Sequence, residues 1–235
     1  MKQLALTLAP PPEPSLDNFY PGRNVELVAA LRGLADGISA ERFFYLWGEP
    51  GCGRSHLLRA MAGVFAARNM GTVYVGPGSA LPPADTALRA LAVDDVDRLQ
   101  PGAQVAFFNL YNSVRERQGI VLTAGSRPPA KLAMRPDLVT RLGWGLVYQV
   151  HALVDEEKIA ALKRHAATRA FDLPDGVAEY LLRHFRRDLP SLMSMLDALD
   201  QHSLEAKRPI TLPLLRELLQ SEAPDEQQIP PPAGA

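Results

Sequence analysis

The sequence predicts an α/β protein in which a parallel sheet is covered by helices on both faces and is followed by a small all-helical domain. Three observations predict it. Short apolar runs alternate with stretches of helical periodicity over the first two-thirds of the chain. The first of those runs opens directly into Gly48-Glu49-Pro50-Gly51-Cys52-Gly53-Arg54-Ser55, which has the form of a phosphate-binding loop. From Asp155 onward the strand-like runs stop and only helical spacing remains.

The elements follow in order. Leu27, Val28, Leu31 and Leu34 mark one face of a helix from Asn24 to about Leu34. Phe43 to Trp47 is a short aromatic strand leading into the glycine loop, and Leu57, Leu58, Met61 and Phe65 predict a helix from His56 to about Arg68. Thr72–Val75 reads as a second strand, ended by Gly76-Pro77-Gly78, and Ala90–Val93 as a third, capped by Asp94-Asp95. A helix from about Gln104 to Arg117 precedes a fourth strand at Ile120–Thr123, and Leu146–Val150 is the fifth. Four helices then close the pattern, at about Asp155–Ala170, Gly176–Phe185, Leu189–Glu205 and Leu212–Gln220. Asp188 and Thr211 stand where N-caps belong, and Pro190 falls in a first turn, where its missing N–H does little harm.

Length, 47% hydrophobic content and these boundaries suggest a chain with a full core, organised as a flexible peptide and proline-rich tether (1–15), an αβα nucleotide-binding base (16–152), a helical lid (153–220) and a disordered tail (221–235). The formal net charge of -1 lacks the basic surplus of a protein that grips duplex DNA on its own. One cysteine, Cys52, rules out an internal disulfide, and no apolar run approaches the roughly 18 residues of a membrane helix. A cytoplasmic protein is the expectation.

Chemistry is expected around the glycine loop. Gly48, Pro50, Gly51, Cys52, Gly53, Arg54, Ser55 and His56 would form the nucleotide loop, wrapping phosphate oxygens with the backbone N–H groups of all but Pro50 at a helix N-terminus. Ser55 offers a hydroxyl to magnesium, and Asp94 a carboxylate, while Asp95 could polarise a water. Arg54 stands where such loops carry lysine. It keeps the charge but is a larger planar fork, which permits diphosphate binding and misplaces a γ-phosphate. Cys52 lies near a helix N-terminus, a setting that lowers a thiol pKa, but it reads as a small filler without chemistry. The N-terminal Gln3-x-Leu-pattern (Gln3, Leu4, Leu6, Leu8) fits either a first strand or an extended peptide that docks in an apolar groove.

The run Leu46–Leu58, then Asp94-Asp95, Gly125-Ser126-Arg127-Pro128-Pro129 and Arg141-Leu142-Gly143-Trp144-Gly145-Leu146, resembles the DnaA branch of the AAA+ ATPases over about 16–219. Within that branch the loop Gly-Arg-Ser-His-Leu-Leu, and a chain that runs into its tail after Gln220 with no helix-turn-helix, resemble the regulatory inactivators of DnaA. The resemblance implies that ADP (or ATP) and Mg2+ bind at the loop, with Phe19 and Tyr20 packing on the adenine; by themselves the two aromatics could equally be core. It implies that Ser126 occupies a sensor position where relatives usually carry Asp, and that Arg141 is an arginine finger acting on ATP held by a neighbour. Pro190 stands at the lid position that holds a sensor arginine in relatives, and Arg186 or Arg187 is the nearest substitute.

The same resemblance implies partners. These are DnaA itself and the beta sliding clamp of DNA polymerase III, the latter docked through Gln3, Leu4, Leu6 and Leu8, with no sequence-specific DNA binding and no membrane. Monomer and homodimer are both left open. The expected function is negative regulation of replication initiation, by stimulating hydrolysis in DnaA while the chain's own turnover is weak or absent. A self-sufficient AAA+ ATPase such as a helicase loader is the alternative.

Overall fold

The computed structural model describes residues 13–185 and 188–222. The chain divides into two compact units at Leu153/Val154.

The first unit is built on five strands: β1 (Phe43–Trp47), β2 (Thr72–Val75), β3 (Ala90–Val93), β4 (Ile120–Gly125) and β5 (Leu146–Gln149). All pairings are parallel and the spatial order is β2-β3-β4-β1-β5. The helices of this unit are α1 (Val25–Ala35), α2 (Arg54–Ala67), α3 (Pro101–Glu116) and α4 (Pro136–Leu142). Side chains on a strand alternate between faces, so each strand feeds two cores. Phe44, Leu46, Ala90, Ala92, Leu122 and Ala124 pack with α1 and α2. Tyr45, Leu91, Val93 and Val121 point the other way, into the core made with α3 and α4. Burial on both faces is why β3 and β4 read as continuous apolar runs rather than alternating ones.

Strand order positions the site. From β1 the chain crosses over β4 and β3 to reach β2 at the edge, so β1 finishes beside β4, and β4 beside β3. The carboxyl ends of these three strands therefore bring the glycine loop, Gly125-Ser126 and Asp94-Asp95 together, where ligands of open α/β sheets bind. Asn24 ties the first helix into the same region. Its amide nitrogen donates to the His151 carbonyl oxygen at 2.8 Å and its amide oxygen accepts from the His151 N–H at 2.7 Å.

The second unit is four helices, α5 (Asp155–Thr168), α6 (Asp175–His184), α7 (Leu189–Ala206) and α8 (Leu212–Glu222). Leu162, Leu181, Leu192, Leu196, Leu199 and Leu215 are among the side chains that fill its core. Asp188 caps α7 by accepting from the Ser191 N–H at 3.0 Å, and exposed Pro190 lies in the first turn. Arg169 joins α5 to α7 through Asp197 and Asp200 at 3.2 and 3.0 Å.

Several boundaries differ from the sequence reading. α2 begins at Arg54, inside the glycine loop, and α3 begins at Pro101, three residues before Gln104. Proline suits that position because its fixed φ matches the first helical turn and the lost N–H has no intrahelical partner there. The residues 136–142, left without an element by the sequence, form α4, again started by a proline with Asp137 in the first turn. Gln3, Leu4, Leu6, Leu8, Arg186, Arg187 and the segment 223–235 lie outside the described residues.

Candidate functional site: a phosphate loop backed by carboxylates, and a stacked arginine

The glycine loop is shaped by two left-handed backbone positions, Gly51 at φ 80° and Gly53 at φ 106°. At Gly53 a side chain would also meet the Phe19 ring at 2.8 Å. Glycine is needed there on both counts, and Phe19 is thereby placed against the loop. α2 starts at the next residue with no side-chain N-cap. Its first N–H groups are thus left to an external acceptor, as suits an anion. These features fit a nucleotide phosphate chain. Tyr20 is half-buried beside Phe19, and Gly48 and Pro50 shape the loop from the β1 side.

Two loop side chains, Cys52 and His56, make contacts within the protein. Cys52 is buried, and burial pushes its thiol above the ordinary range despite the nearby Arg54 backbone N–H and guanidinium. The helix N-terminus does not win: removing a thiolate from water costs more here than the dipole returns. His56 turns its ring away from the phosphate side, donating from Nε2 to the Ser15 carbonyl oxygen at 2.9 Å and lying 5.5 Å from Phe19. Its side chain pins the segment that carries Phe19.

Burial is the main cause that holds His56 below its ordinary pKa of 6.5; the Ser15 carbonyl pulls upward and Arg59 adds a downward push. A base with a depressed folded pKa binds a proton more readily in the unfolded chain. Stability is then fully present above the unfolded pKa and is lost as pH falls below it. The base unit is expected to lose stability as the pH drops below about 6.5, and His56→Gln, which can still donate to Ser15, should flatten that slope. Urea midpoints across pH 5 to 8, taken as a range about the ordinary histidine pKa, provide the measurement; equal slopes in both proteins would refute the assignment.

Arg54 reaches back rather than out. Its Nη1 donates to the Gly125 carbonyl oxygen and its Nη2 lies 3.5 Å from Asp95 Oδ1, with both side chains largely buried. Arg98 approaches Asp95 from the other side at 3.5 Å. Asp95 itself sits at φ 45°, a left-handed position that Asp tolerates better than most residues and that aims its carboxylate between the two guanidiniums. The carboxylate is therefore engaged by two guanidiniums. Asp94 is buried, and accepts from the Tyr74 hydroxyl at 3.1 Å and the Asp95 N–H at 3.0 Å. Among the described residues no three His, Cys, Asp or Glu side chains gather as a metal cluster. Ser55 and Asp94 remain oxygen donors of the kind Mg2+ takes when phosphates and waters complete its octahedron.

Ser126 is backed by a carboxylate that the sequence reading missed. Its N–H donates to Asp97 Oδ2 at 3.2 Å and its hydroxyl to the same oxygen. Asp97 Oδ1 is buried without a hydrogen-bond partner. The charge that Ser126 lacks is thus supplied from the turn after β3. The signal was hard to find, because Asp97 and Ser126 are 29 residues apart and meet only through the β3–β4 pairing. Beside them the Tyr45 hydroxyl donates to the Arg127 carbonyl oxygen at 2.6 Å; burial, with Asp97 adding to it, pushes that phenol far above its ordinary range.

Arg141 lies in the last turn of α4, away from the glycine loop's own hydrogen bonds. Its guanidinium stacks over the Trp144 ring at 4.0 Å and over Phe108 at 5.3 Å, and its Nη1 is buried with no hydrogen-bond partner. The Tyr111 hydroxyl donates to the Arg141 carbonyl oxygen at 3.2 Å. Burial pushes that phenol up to about 12, against downward pulls from Arg141 and Arg115.

Comparison with known proteins adds the following. Residues 155–219 match the family described as "Hda, lid domain". The fold is similar to AMPPCP-bound DnaA from Aquifex aeolicus (TM-score 0.68, 20% identity, 83% of this chain and 67% of that one). It is also similar to domain III of DnaA from Thermotoga maritima (0.70, 19%, 89% and 96%) and to a RuvB variant from the same organism (0.64, 17%, 89% and 72%). At these identities the likeness is one of fold: a parallel α/β unit followed by a helical unit. No helix among the described residues is long and apolar enough to cross a membrane.

Proposed function

We propose that this chain, whose residues 155–219 match the Hda lid family and whose fold is similar to that of DnaA, is an Hda-like AAA+ protein that regulates replication initiation negatively, by stimulating ATP hydrolysis in DnaA. In this reading ADP is held at the loop by the backbone of Gly48–Ser55, with Phe19 and Tyr20 at the base and Ser55 and Asp94 serving Mg2+. A bound nucleotide with its cation supplies negative charge and phosphate oxygens at the start of α2. Arg141 is presented to ATP on a DnaA subunit, where a guanidinium neutralises charge that develops on the transferring phosphoryl group. Gln3, Leu4, Leu6 and Leu8 dock the chain on the beta sliding clamp, so that stimulation occurs only where DNA has been loaded and copied.

One observation carries the reading. Asp95, the residue that would orient an attacking water in this chain, is held between Arg54 and Arg98. A carboxylate occupied by two cations is poorly placed for that work, whereas the Arg141 guanidinium has no carboxylate of its own among the described residues. This supports chemistry in the partner and disfavours a self-sufficient motor.

The test is phosphate release from ATP-loaded DnaA with and without the chain and clamp-loaded DNA. Stimulation should need all three components and disappear with Gln3→Ala combined with Leu4→Ala. Calorimetry should find ADP bound at least as tightly as ATP. Fast ATP turnover by the chain alone would overturn the reading.

A further inference from the structure

We propose that Trp144 is the positioning residue for Arg141: its indole, together with the Phe108 ring, holds the guanidinium in one orientation at the surface. The inference rests on the reading of Arg141 as the group that acts on a partner's nucleotide.

Trp144 is 50% exposed, an unusual setting for the largest apolar side chain. What it contacts explains its place. The Arg141 guanidinium lies 4.0 Å from its ring centroid and that of Arg115 lies 4.8 Å away. Neither arginine forms an ion pair among the described residues. An arginine without a carboxylate ordinarily samples many rotamers in water; here its guanidinium lies over two aromatic rings, with Nη1 already out of solvent and unpartnered.

The main chain reinforces this arrangement. The Trp144 N–H donates to the Arg141 carbonyl oxygen at 3.2 Å, and the Tyr111 hydroxyl donates to the same oxygen. One carbonyl thus couples the finger's backbone, the indole's backbone and α3. A guanidinium whose orientation is set before it meets a phosphate loses little freedom on engagement, which is where a positioned group gains rate.

The experiment titrates the full-length chain into the DnaA hydrolysis assay on clamp-loaded DNA. Trp144→Leu keeps apolar bulk and removes the π face. It should lower the maximal stimulated rate about tenfold, the scale of one partly desolvated cation–π contact, and leave the half-saturating concentration unchanged. Trp144→Phe should restore most of the rate. In the chain alone, the Arg141 Nε–H proton resonance should show a ring-current shift that is reduced in Trp144→Leu and kept in Trp144→Phe, while wild-type ADP binding and thermal midpoints report that both variants fold.

Wild-type stimulation by Trp144→Leu overturns the inference. So does a change confined to the half-saturating concentration, because Trp144 would then be a docking contact. So does equal loss in the Leu and Phe variants. In all three cases Arg141→Ala is inactive. Wild-type stimulation by Arg141→Ala is a different result: it removes the finger itself, and the positioning role with it.

Discussion

Replacing Arg141 by alanine is expected to lower stimulated hydrolysis in DnaA by about a thousandfold, the lower end of what arginine fingers supply. The folded chain should hardly notice. Arg141 is half-buried and its Nη1 has no partner, so truncation breaks no side-chain hydrogen bond of that nitrogen. What is lost is the stacking on Trp144 and Phe108, worth about 1 kcal/mol at a partly exposed site. The expected signature is a near-normal thermal midpoint and normal ADP binding, with almost no stimulation. Arg141→Lys should behave like the alanine variant in the assay, since an ammonium keeps the charge but cannot lie flat or present two parallel donors. Phosphate release under single-turnover conditions measures the effect, and a rate within a factor of about three of wild type, a difference below 1 kcal/mol, would sink the assignment.

Replacing Gly145 by alanine should do the opposite: it should damage the fold first and function as a consequence. A methyl group at this position would sit well inside van der Waals contact with the Phe43 carbonyl oxygen, a backbone atom that cannot rotate aside. Relief requires β5 to move away from β1 just where Phe44 pairs with Leu146. Because β5 is an edge strand whose neighbour among the described residues is β1, the pairing can open from that end. A loss of about 3 kcal/mol is expected, which lowers the midpoint of a domain this size by about 6–12 °C. Scanning calorimetry tests it, and an unchanged midpoint would contradict the close approach. Trp144 precedes this residue, so any surviving folded protein should also stimulate poorly.

Trp144 and Gly145 owe their identities to contacts rather than to spacing. Gly143-Trp144-Gly145 was conspicuous in the sequence as part of a family-like run, yet its spacing gave no reason for either neighbour. The reasons are contacts: a carbonyl of β1 that excludes a Cβ at Gly145, and a guanidinium from α4 that needs a flat partner at Trp144. Likewise Arg54 looked like a misfit lysine substitute, and only the parallel pairing of β1 with β4 shows it reaching the Gly125 carbonyl. His56 falls at the end of the glycine loop by sequence, and only the structure shows its ring on the Ser15 carbonyl.

By itself the sequence determined the element types, the five strands, the glycine loop at the end of β1, and the change from α/β to purely helical at Asp155. These are legible because helices and strands are patterned by neighbours one to four residues away, and loop chemistry by adjacent residue types. Only the tertiary structure decided which carboxylate supports Ser126, which cations hold Asp95, and what orients Arg141. Those pairs lie 29, 41 and 3 residues apart, with no common spacing. The first two are set by strand order and the turn after β3, which no local rule names; the third is local in sequence, and only the structure shows the guanidinium over the indole.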